Sequence, residues 1–283
     1  MKPGSQRQPD TERTLLCKIP VFRPVAINLL TLLSNEDVNI LDVAELLRSD
    51  PGFGAEFLTT ANSAVYAVRG VNTIEHAVFV LGIDRTKVLV TRAALQGMVR
   101  GMEENAAIKN CWLHSRATAT IAGWLSRFYR LNAELAYTVG LMHDIGRLGL
   151  LAVHPVQYAE LLSRITGNNL DLMQAEQVLF SVDHCEAGAW LTRTWGLPKE
   201  FGSTGAHHHQ PFEGASGDPA DLVKMACALA QALGFASAPL VGCEPVESIL
   251  QRVPNSTGLG QRFCLSDLST LVENDMLAGL KST

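Results

Sequence analysis

Histidine and aspartate side chains recur in the second half of the chain at positions where helices would face the protein interior. His114 shares one helical stripe with Ala117 and Ile121, so its imidazole is predicted to point inward. His143 and Asp144 lie in a segment that is apolar almost all round, where a carboxylate is costly to desolvate unless it is paired or binds a cation. Imidazole and carboxylate groups on facing helices are how helical bundles build metal sites. The pattern therefore indicates metal binding.

Further histidines follow at His184 and in the run His207-His208-His209. His184 comes directly after Asp183, a predicted helix N-cap, and the run falls near the end of the next predicted helix. Each has an ordinary alternative interpretation. A single inward histidine is commonly a hydrogen-bonded core residue, and a histidine run at a helix end is commonly solvated, where it favours the negative end of the helix dipole. The His143-Asp144 pair is harder to explain in this way, and the groups together favour a site.

The elements that must position these side chains are all predicted to be helices. Apolar residues recur with the helical period, and Asn39 is an N-cap candidate. Asp50-Pro51 is predicted to stop one helix and start the next, and Gly82 to end one helix in a left-handed conformation. There is no convincing alternation of period two and no Asn-Gly or Asp-Gly hairpin turn, so the predicted fold class is all-α. In the second half, helices are predicted at roughly 110–129, 132–151, 155–166, 170–179, 183–194, 198–207 and 220–233, followed by a short helix near 246–253 and a last one at 266–280.

The composition excludes several classes of protein. At 283 residues with 47% hydrophobic residues, the chain can bury a sizeable core, and disorder is excluded for most of it. A net charge of −5 and the lack of any run of Lys and Arg argue against a nucleic-acid binder, which needs a basic face. Six cysteines without a Cys-x-x-Cys pair predict reduced thiols.

Two segments bear on location. Residues 1–14 are polar, are predicted to be disordered, and lack the apolar core of a signal peptide. Met225 to Cys243 carries no charge, but it is rich in alanine and is interrupted by Gly234 and Pro239. It therefore predicts a buried helix and a loop rather than a membrane span. We expect a cytoplasmic protein without a membrane partner.

Taken in chain order, the histidines and Asp144 resemble the HD superfamily of metal-dependent phosphohydrolases, most closely its HD-GYP branch and the related HDOD group. The segment Gly140 to Gly146 is similar to the superfamily's G-L-x-H-D-I-G box. The HDOD signature is matched by Ile19-Pro20, Asp50-Pro51, Ala61-Asn62-Ser63-Ala64, Ala77 to Leu81-Gly82, Trp190-Leu191 and Trp195-Gly196-Leu197-Pro198. The resemblance covers roughly residues 15–234.

The resemblance implies a multi-helical HDOD bundle of the kind found in bacterial signalling proteins. It divides the chain into an HDOD domain at 15–234, with an N-terminal subdomain at 15–107 and an HD-like subdomain at 108–234, and a C-terminal helical extension at 235–283. Catalytic relatives hold one or two metal ions, on which a water becomes a hydroxide that attacks a phosphodiester. A divalent transition metal, Fe, Mn or Zn, is the implied cofactor. The positions that match the ligand set are His114, His143, Asp144, His184, His208 and His209.

The chain also departs from the catalytic pattern. Cys227 falls where the last aspartate ligand is expected, Asn110 falls where HD-GYP proteins carry an acidic ligand, and Arg147 replaces the usual lysine. The Gly-Tyr-Pro segment is missing after His208-His209. Cys227 itself has two interpretations: a small buried hydrophobe, which is the commoner role of such a cysteine, or a thiolate ligand suited to zinc or iron.

Three functions remain open. The first is a non-catalytic regulatory domain with a degenerate metal site, which binds a signalling protein or a small regulatory ligand such as a nucleotide. The second is a metal-dependent phosphohydrolase acting on a nucleotide or cyclic dinucleotide, with His143 and Asp144 as ligands and Arg147 steadying a phosphate. The third is a helix-turn-helix regulator, which the acidic balance argues against. The departures favour the first.

Overall fold

Helices form all of the regular structure in the part of the chain that the computed structural model describes, which is residues 23–35, 37–62, 71–99, 105–165, 169–197, 199–210, 217–239, 242–253 and 265–280. The predicted all-α fold is confirmed. The predicted disordered segment 1–14 and the motif residues Ile19-Pro20, Ser63-Ala64 and Pro198 lie outside these residues.

The described residues contain the following helices. They are α1 (Pro24–Leu32), α2 (Ile40–Arg48), α3 (Pro51–Ala61), α4 (Ile74–Val99), α5 (Ala106–Tyr129), α6 (Ala133–Met142), α7 (Ile145–Val153), α8 (Pro155–Arg164), α9 (Asn169–Phe180), α10 (His184–Thr194), α11 (Lys199–His207), α12 (Pro219–Ala232), α13 (Val246–Gln251) and α14 (Leu265–Leu280).

The helix boundaries in the first half follow from capping residues. The Asn39 side chain accepts a hydrogen bond from the backbone N–H of Leu41 at the start of α2. Asp50 accepts one from the N–H of Phe53 at the start of α3. Gly82 has a φ of 73°, which interrupts α4 as predicted because glycine reaches positive φ without steric cost. Helices α1, α2 and α3 pack against α4.

The long helix α5 organises the second half. It packs against α6, α12 and α14, while α10 packs against α7 and α11. Gly140 allows α6 to approach α5 closely, since a Cβ at this position would lie 2.9 Å from the Cα of Ala119. No helix among the described residues has both the length and the hydrophobicity that a bilayer crossing requires.

The prediction of a single helix at 132–151 is wrong in one respect. The chain leaves the helical path at Asp144, directly after His143, so that α6 ends at Met142 and α7 begins at Ile145. Asp144 has φ −106° and ψ 21°, in the bridge region of backbone conformation. Apolar residues on both sides conceal this break from a periodicity analysis. The break turns the chain at the two residues with the strongest chemical signal.

Candidate metal centre

Six sequence-predicted residues and Arg147 come together from several helices. His114 lies on α5, His143 and Asp144 lie in the break between α6 and α7, and Arg147 lies in the first turn of α7. His184 is the first residue of α10, and His208 and His209 directly follow α11. All of them are buried except His209, which is partly buried. Their placement agrees with the sequence analysis, and their role as metal ligands stays a prediction.

The Asp144 carboxylate lies at the centre of the cluster. Its Oδ2 is 3.7 Å from the Nε2 atoms of both His114 and His143. Its Oδ1 is 3.6 Å from Nε2 of His184 and 3.2 Å from Nε2 of His208. These four imidazoles therefore present the same ring nitrogen to one carboxylate.

In each of these imidazoles the other ring nitrogen, Nδ1, makes a hydrogen bond to an oxygen of another residue. In three of them Nδ1 lies 2.7 Å from a backbone carbonyl oxygen, which can only accept a hydrogen bond. Nδ1 must therefore carry the proton, and in the neutral ring Nε2 keeps its lone pair. The carbonyls belong to Phe235 behind His114, Gly140 behind His143 and Gly205 behind His208. Burial lowers the pKa of His114 to about 4 and lowers that of His143 well below its usual range, which favours the neutral form of these two. Burial acts the same way on His208, but Cys185 and Asp144 outweigh it and raise that pKa to about 9, so His208 becomes neutral only when a cation displaces its proton.

His184 is held by a carboxylate instead. Its Nδ1 lies 2.6 Å from Oε2 of Glu176, whose Oε1 accepts a hydrogen bond from the hydroxyl of Tyr158. Burial and the Arg147 charge would lower the pKa of His184, but Glu176 outweighs them and raises that pKa to about 10. A carboxylate behind a histidine is the usual outer partner of a metal-binding imidazole, because it orients the ring and increases its basicity.

Several buried atoms in the cluster have no hydrogen-bond partner. They are Nε2 of His143 and, in addition, Nε2 of His208 and Oδ1 of Asp144, which lie 3.2 Å from each other without the geometry of a hydrogen bond. Buried polar atoms are seldom left unpaired, since each costs roughly 1–3 kcal/mol. In addition, Nε2 of His184 and Nε2 of His209 lie only 3.0 Å apart; without a metal, the raised pKa of His184 provides the proton for a hydrogen bond between them. A bound divalent ion would satisfy these atoms, so the residues present fit a metal.

Arg147 is fully buried inside the cluster. Its Nε donates a hydrogen bond of 2.7 Å to Oδ2 of Asp144, and its Nη2 lies 3.3 Å from Nε2 of His209. Burial would raise the pKa of Asp144, but the Arg147 guanidinium holds that pKa well below its usual range. The central carboxylate is therefore ionised and already paired with one cation.

Cysteines surround the cluster. Cys227 Sγ on α12 lies 3.5 Å from Nε2 of His114, and Cys185 Sγ lies 3.5 Å from Nε2 of His184. One turn before His114, the buried side chain is Cys111, whereas Asn110 is exposed. Asn110, the position that the resemblance equates with an acidic ligand, therefore points away from the cluster, and that alignment stays a prediction.

Two groups that contact the histidine cluster, the Glu176 carboxylate and the Phe235 carbonyl, were not predicted from the sequence. Glu176 lies between the buried residues Leu172 and Phe180 at intervals of four, a spacing that places a carboxylate on the buried face of α9. That signal was available. The carbonyl of Phe235 has no sequence signal, because every residue carries the same backbone group. Cys185 was noted only as one of the thiols.

A polar cleft of about 190 Å³ reaches the cluster from the surface, lined in part by His208, His209, Cys227, Lys224 and Arg252. Lys224 pairs with Asp221, and Arg252 pairs with Glu244. The cleft therefore combines two basic side chains with the exposed edge of the histidine cluster.

Solved structures with the same fold come from several bacteria. A provisionally named phosphohydrolase from Shewanella amazonensis aligns with a TM-score of 0.67 at 23% identity, covering 95% of both chains. An HDOD domain protein of unknown function from Geobacter sulfurreducens aligns with a TM-score of 0.65 at 24% identity, covering 96% of both. A provisionally named signal transduction protein from Marinobacter aquaeolei aligns with a TM-score of 0.71 at 21% identity, covering 94% of this chain and 60% of that one.

Among curated proteins, none matches this chain. The sequence profile of the HDOD domain matches residues 19–211, which is well over half of the chain. This range contains the predicted signature motifs and every histidine of the cluster. The chain belongs to the HDOD domain family.

Proposed function

We propose that this HDOD protein is a non-catalytic regulatory domain of cytoplasmic signal transduction that holds one divalent transition metal ion. The ion, Fe, Mn or Zn, would bind to Nε2 atoms of the histidine cluster and to Asp144. It would connect the α6–α7 break with α5 or with the end of α11, because donors of these elements lie within 4.8 Å of one another, and its binding would stabilise their arrangement. Binding to the folded state alone would stabilise the protein by mass action.

The hydrogen bond from Arg147 Nε to Asp144 Oδ2, at 2.7 Å, carries the proposal. A two-metal hydrolase holds its ions about 3.5–4 Å apart as a clamp on the attacking and leaving oxygens. Asp144 is the carboxylate at the centre of the described cluster, and one of its oxygens is used by a buried guanidinium. The positive charge of Arg147 also opposes a second cation.

The access route supports a binding role more than turnover. The cleft encloses about 190 Å³, whereas small-molecule sites commonly enclose about 300–1,000 Å³. His114, His143 and Asp144 are at most 1% exposed. A catalytic metal needs an open position for water and substrate, and these residues offer little room for one.

A phosphohydrolase remains the second candidate, with a nucleotide or cyclic dinucleotide as substrate. Lys224 and Arg252 line the cleft beside His208 and His209, where a phosphate group would meet positive charge. The name given to the Shewanella amazonensis protein points the same way. Under this alternative, Arg147 would steady the phosphate and the cleft would widen on substrate binding.

The partner in the proposed role is a signalling protein, with a nucleotide as an alternative small ligand. The net charge of −5 and the lack of any run of Lys and Arg in the sequence argue against nucleic acid as the partner.

The test combines metal content with hydrolysis. Chain purified from medium supplemented with iron, manganese and zinc should contain about one metal ion, lost in His143→Ala, and should not hydrolyse nucleotides or cyclic dinucleotides. Hydrolysis by the wild type that disappears in Asp144→Ala would replace the regulatory proposal with the enzyme. Hydrolysis that survives Asp144→Ala would come from another source.

A further inference from the structure

Cys227 occupies a ligand-like position in the cluster. It lies on α12 and is buried, with Sγ 3.5 Å from Nε2 of His114. Its Sγ and the ring nitrogens of His114 and His143 all lie within 4.8 Å of one another. Three donors from three separate parts of the chain therefore converge on one small volume.

A second observation points to a ligand in that volume. Nε2 of His143 is buried and has no hydrogen-bond partner, while its Nδ1 is held by the carbonyl of Gly140. A ring nitrogen of His143 lies within 4.8 Å of Cys227 Sγ and of a ring nitrogen of His114, and with Nδ1 used by Gly140, Nε2 is the atom left to bind an ion. An ion bound between these atoms would give His143 the partner that it lacks.

The spacing of the donors matches zinc. With bond lengths of about 2.3 Å to sulfur and about 2.05 Å to nitrogen, a tetrahedral zinc ion holds S and N about 3.5 Å apart. The separation between Cys227 Sγ and His114 Nε2 is 3.5 Å. Without a metal, the neutral Cys227 thiol donates a hydrogen bond to this nitrogen, and burial raises the pKa of that thiol. A bound cation would replace the thiol proton at the same separation.

The charges around the ion lead to the same assignment. Arg147 pairs with Asp144 and offsets its negative charge, so a dication needs a further anionic ligand nearby. A thiolate supplies that charge and favours zinc over the hard ions Mg²⁺ and Mn²⁺. The amide Nε2 of Gln231 donates to Cys227 Sγ at 3.7 Å, an outer contact that would stabilise the anionic sulfur.

We propose that Cys227 binds the metal ion as a thiolate together with His114 and His143, and that the centre therefore selects Zn²⁺ over Mg²⁺ and Mn²⁺. Binding releases the thiol proton to solvent. This inference rests on the proposed function, because it assigns a ligand and a metal to the same centre.

Cobalt substitution tests the assignment. Co²⁺ added to the metal-free full chain should give a near-ultraviolet sulfur-to-cobalt charge-transfer band together with visible ligand-field bands. Cys227→Ser should lose the near-ultraviolet band and weaken Zn²⁺ binding by more than the roughly 10- to 100-fold that an outer contact contributes. Cys243→Ser is the matched control, because Cys243 is exposed. This substitution should change neither the charge-transfer band nor the affinity for Zn²⁺. In Cys227→Asp the preference should move from Zn²⁺ toward Mn²⁺.

The outcomes separate this inference from the proposed function. Ligand-field bands without a charge-transfer band in the wild type would show a metal site without sulfur, and would overturn the thiolate while the metal centre stands. Loss of the band in Cys185→Ser, with Cys227→Ser unchanged, would also overturn it. The absence of any cobalt spectrum would contradict the metal centre itself. If Cys227→Ser does not fold, X-ray absorption of zinc-loaded Cys185→Ser decides, because a sulfur neighbour near 2.3 Å must persist there.

Discussion

Gly146 is the position at which α7 and α10 come closest, and Gly146→Ala is the substitution that tests this packing. A Cβ at this position would lie 1.9 Å from the carbonyl oxygen of His184 and 2.6 Å from the backbone nitrogen of Gly188. Both neighbours are backbone atoms, so they cannot rotate away. The first turn of α10 must move by about 1.5 Å to restore an ordinary contact distance of 3.4 Å.

This displacement has two consequences. Overpacking of this kind costs about 1–3 kcal/mol or more, which lowers Tm by roughly 2–12 °C for a domain of this size. It also moves His184 relative to Asp144, whereas a metal site tolerates errors of only about 0.2 Å. Gly146→Ala should therefore lose both stability and bound metal.

Thermal unfolding followed by circular dichroism, with and without added Zn²⁺, measures both effects. Gly123→Ala is the control, because its Cβ would meet its nearest neighbour at 3.6 Å and alanine favours the helix by about 1 kcal/mol. The reasoning is refuted if Gly146→Ala melts within about 1 °C of the wild type and still gains stability from Zn²⁺ to the same extent.

Three further substitutions test the surroundings of the centre and one helix start. Glu176→Gln should weaken Zn²⁺ binding about 10- to 100-fold in a chelator titration, because His184 loses its anionic partner; unchanged affinity would remove Glu176 from the site. Arg147→Met should destabilise the metal-free protein by about 3–5 kcal/mol in urea, since Asp144 is left buried and unpaired, and Zn²⁺ should recover more stability than in the wild type. Asp50→Ala should cost about 1 kcal/mol at neutral pH. The pKa of Asp50 is lowered in the folded state, first by its backbone N-cap hydrogen bond. The stability that Asp50 contributes is therefore present above its pKa in the unfolded chain and is lost as pH falls through its pKa in the folded protein. The difference in stability between Asp50→Ala and the wild type should shrink below about pH 4. A difference that grows there would contradict the cap.

Much of the fold could be predicted from the sequence, because capping and periodicity are local. Asn39, Asp50 and Gly82 mark helix boundaries through their own backbone and side-chain chemistry. The inward direction of His114 follows from its apolar neighbours one and two turns away. The break at His143 and Asp144 could not be found in this way, because apolar residues on both sides continue the helical pattern.

The site was less predictable than the fold. The inward histidines and Asp144 indicated a metal site from the residues alone, but the complete ligand set came from the resemblance, since no spacing rule brings α5, α10 and α11 together. Asn110 and Cys111 differ by one helical position, and only the packed helix shows that Cys111 is the buried one. Glu176 could have been found from the spacing of its neighbours on α9. The contact of the Phe235 carbonyl with His114 depends on the path of the backbone, so it could not have been predicted from the sequence.

The metal content of the purified wild-type chain tests the central claim most directly. Inductively coupled plasma mass spectrometry, on protein expressed with iron, manganese and zinc supplied together, should find about one transition metal ion per chain, with the ion absent from His143→Ala. Folded wild-type protein that contains no metal, and whose melting temperature does not rise when Zn²⁺ is added, would contradict the account.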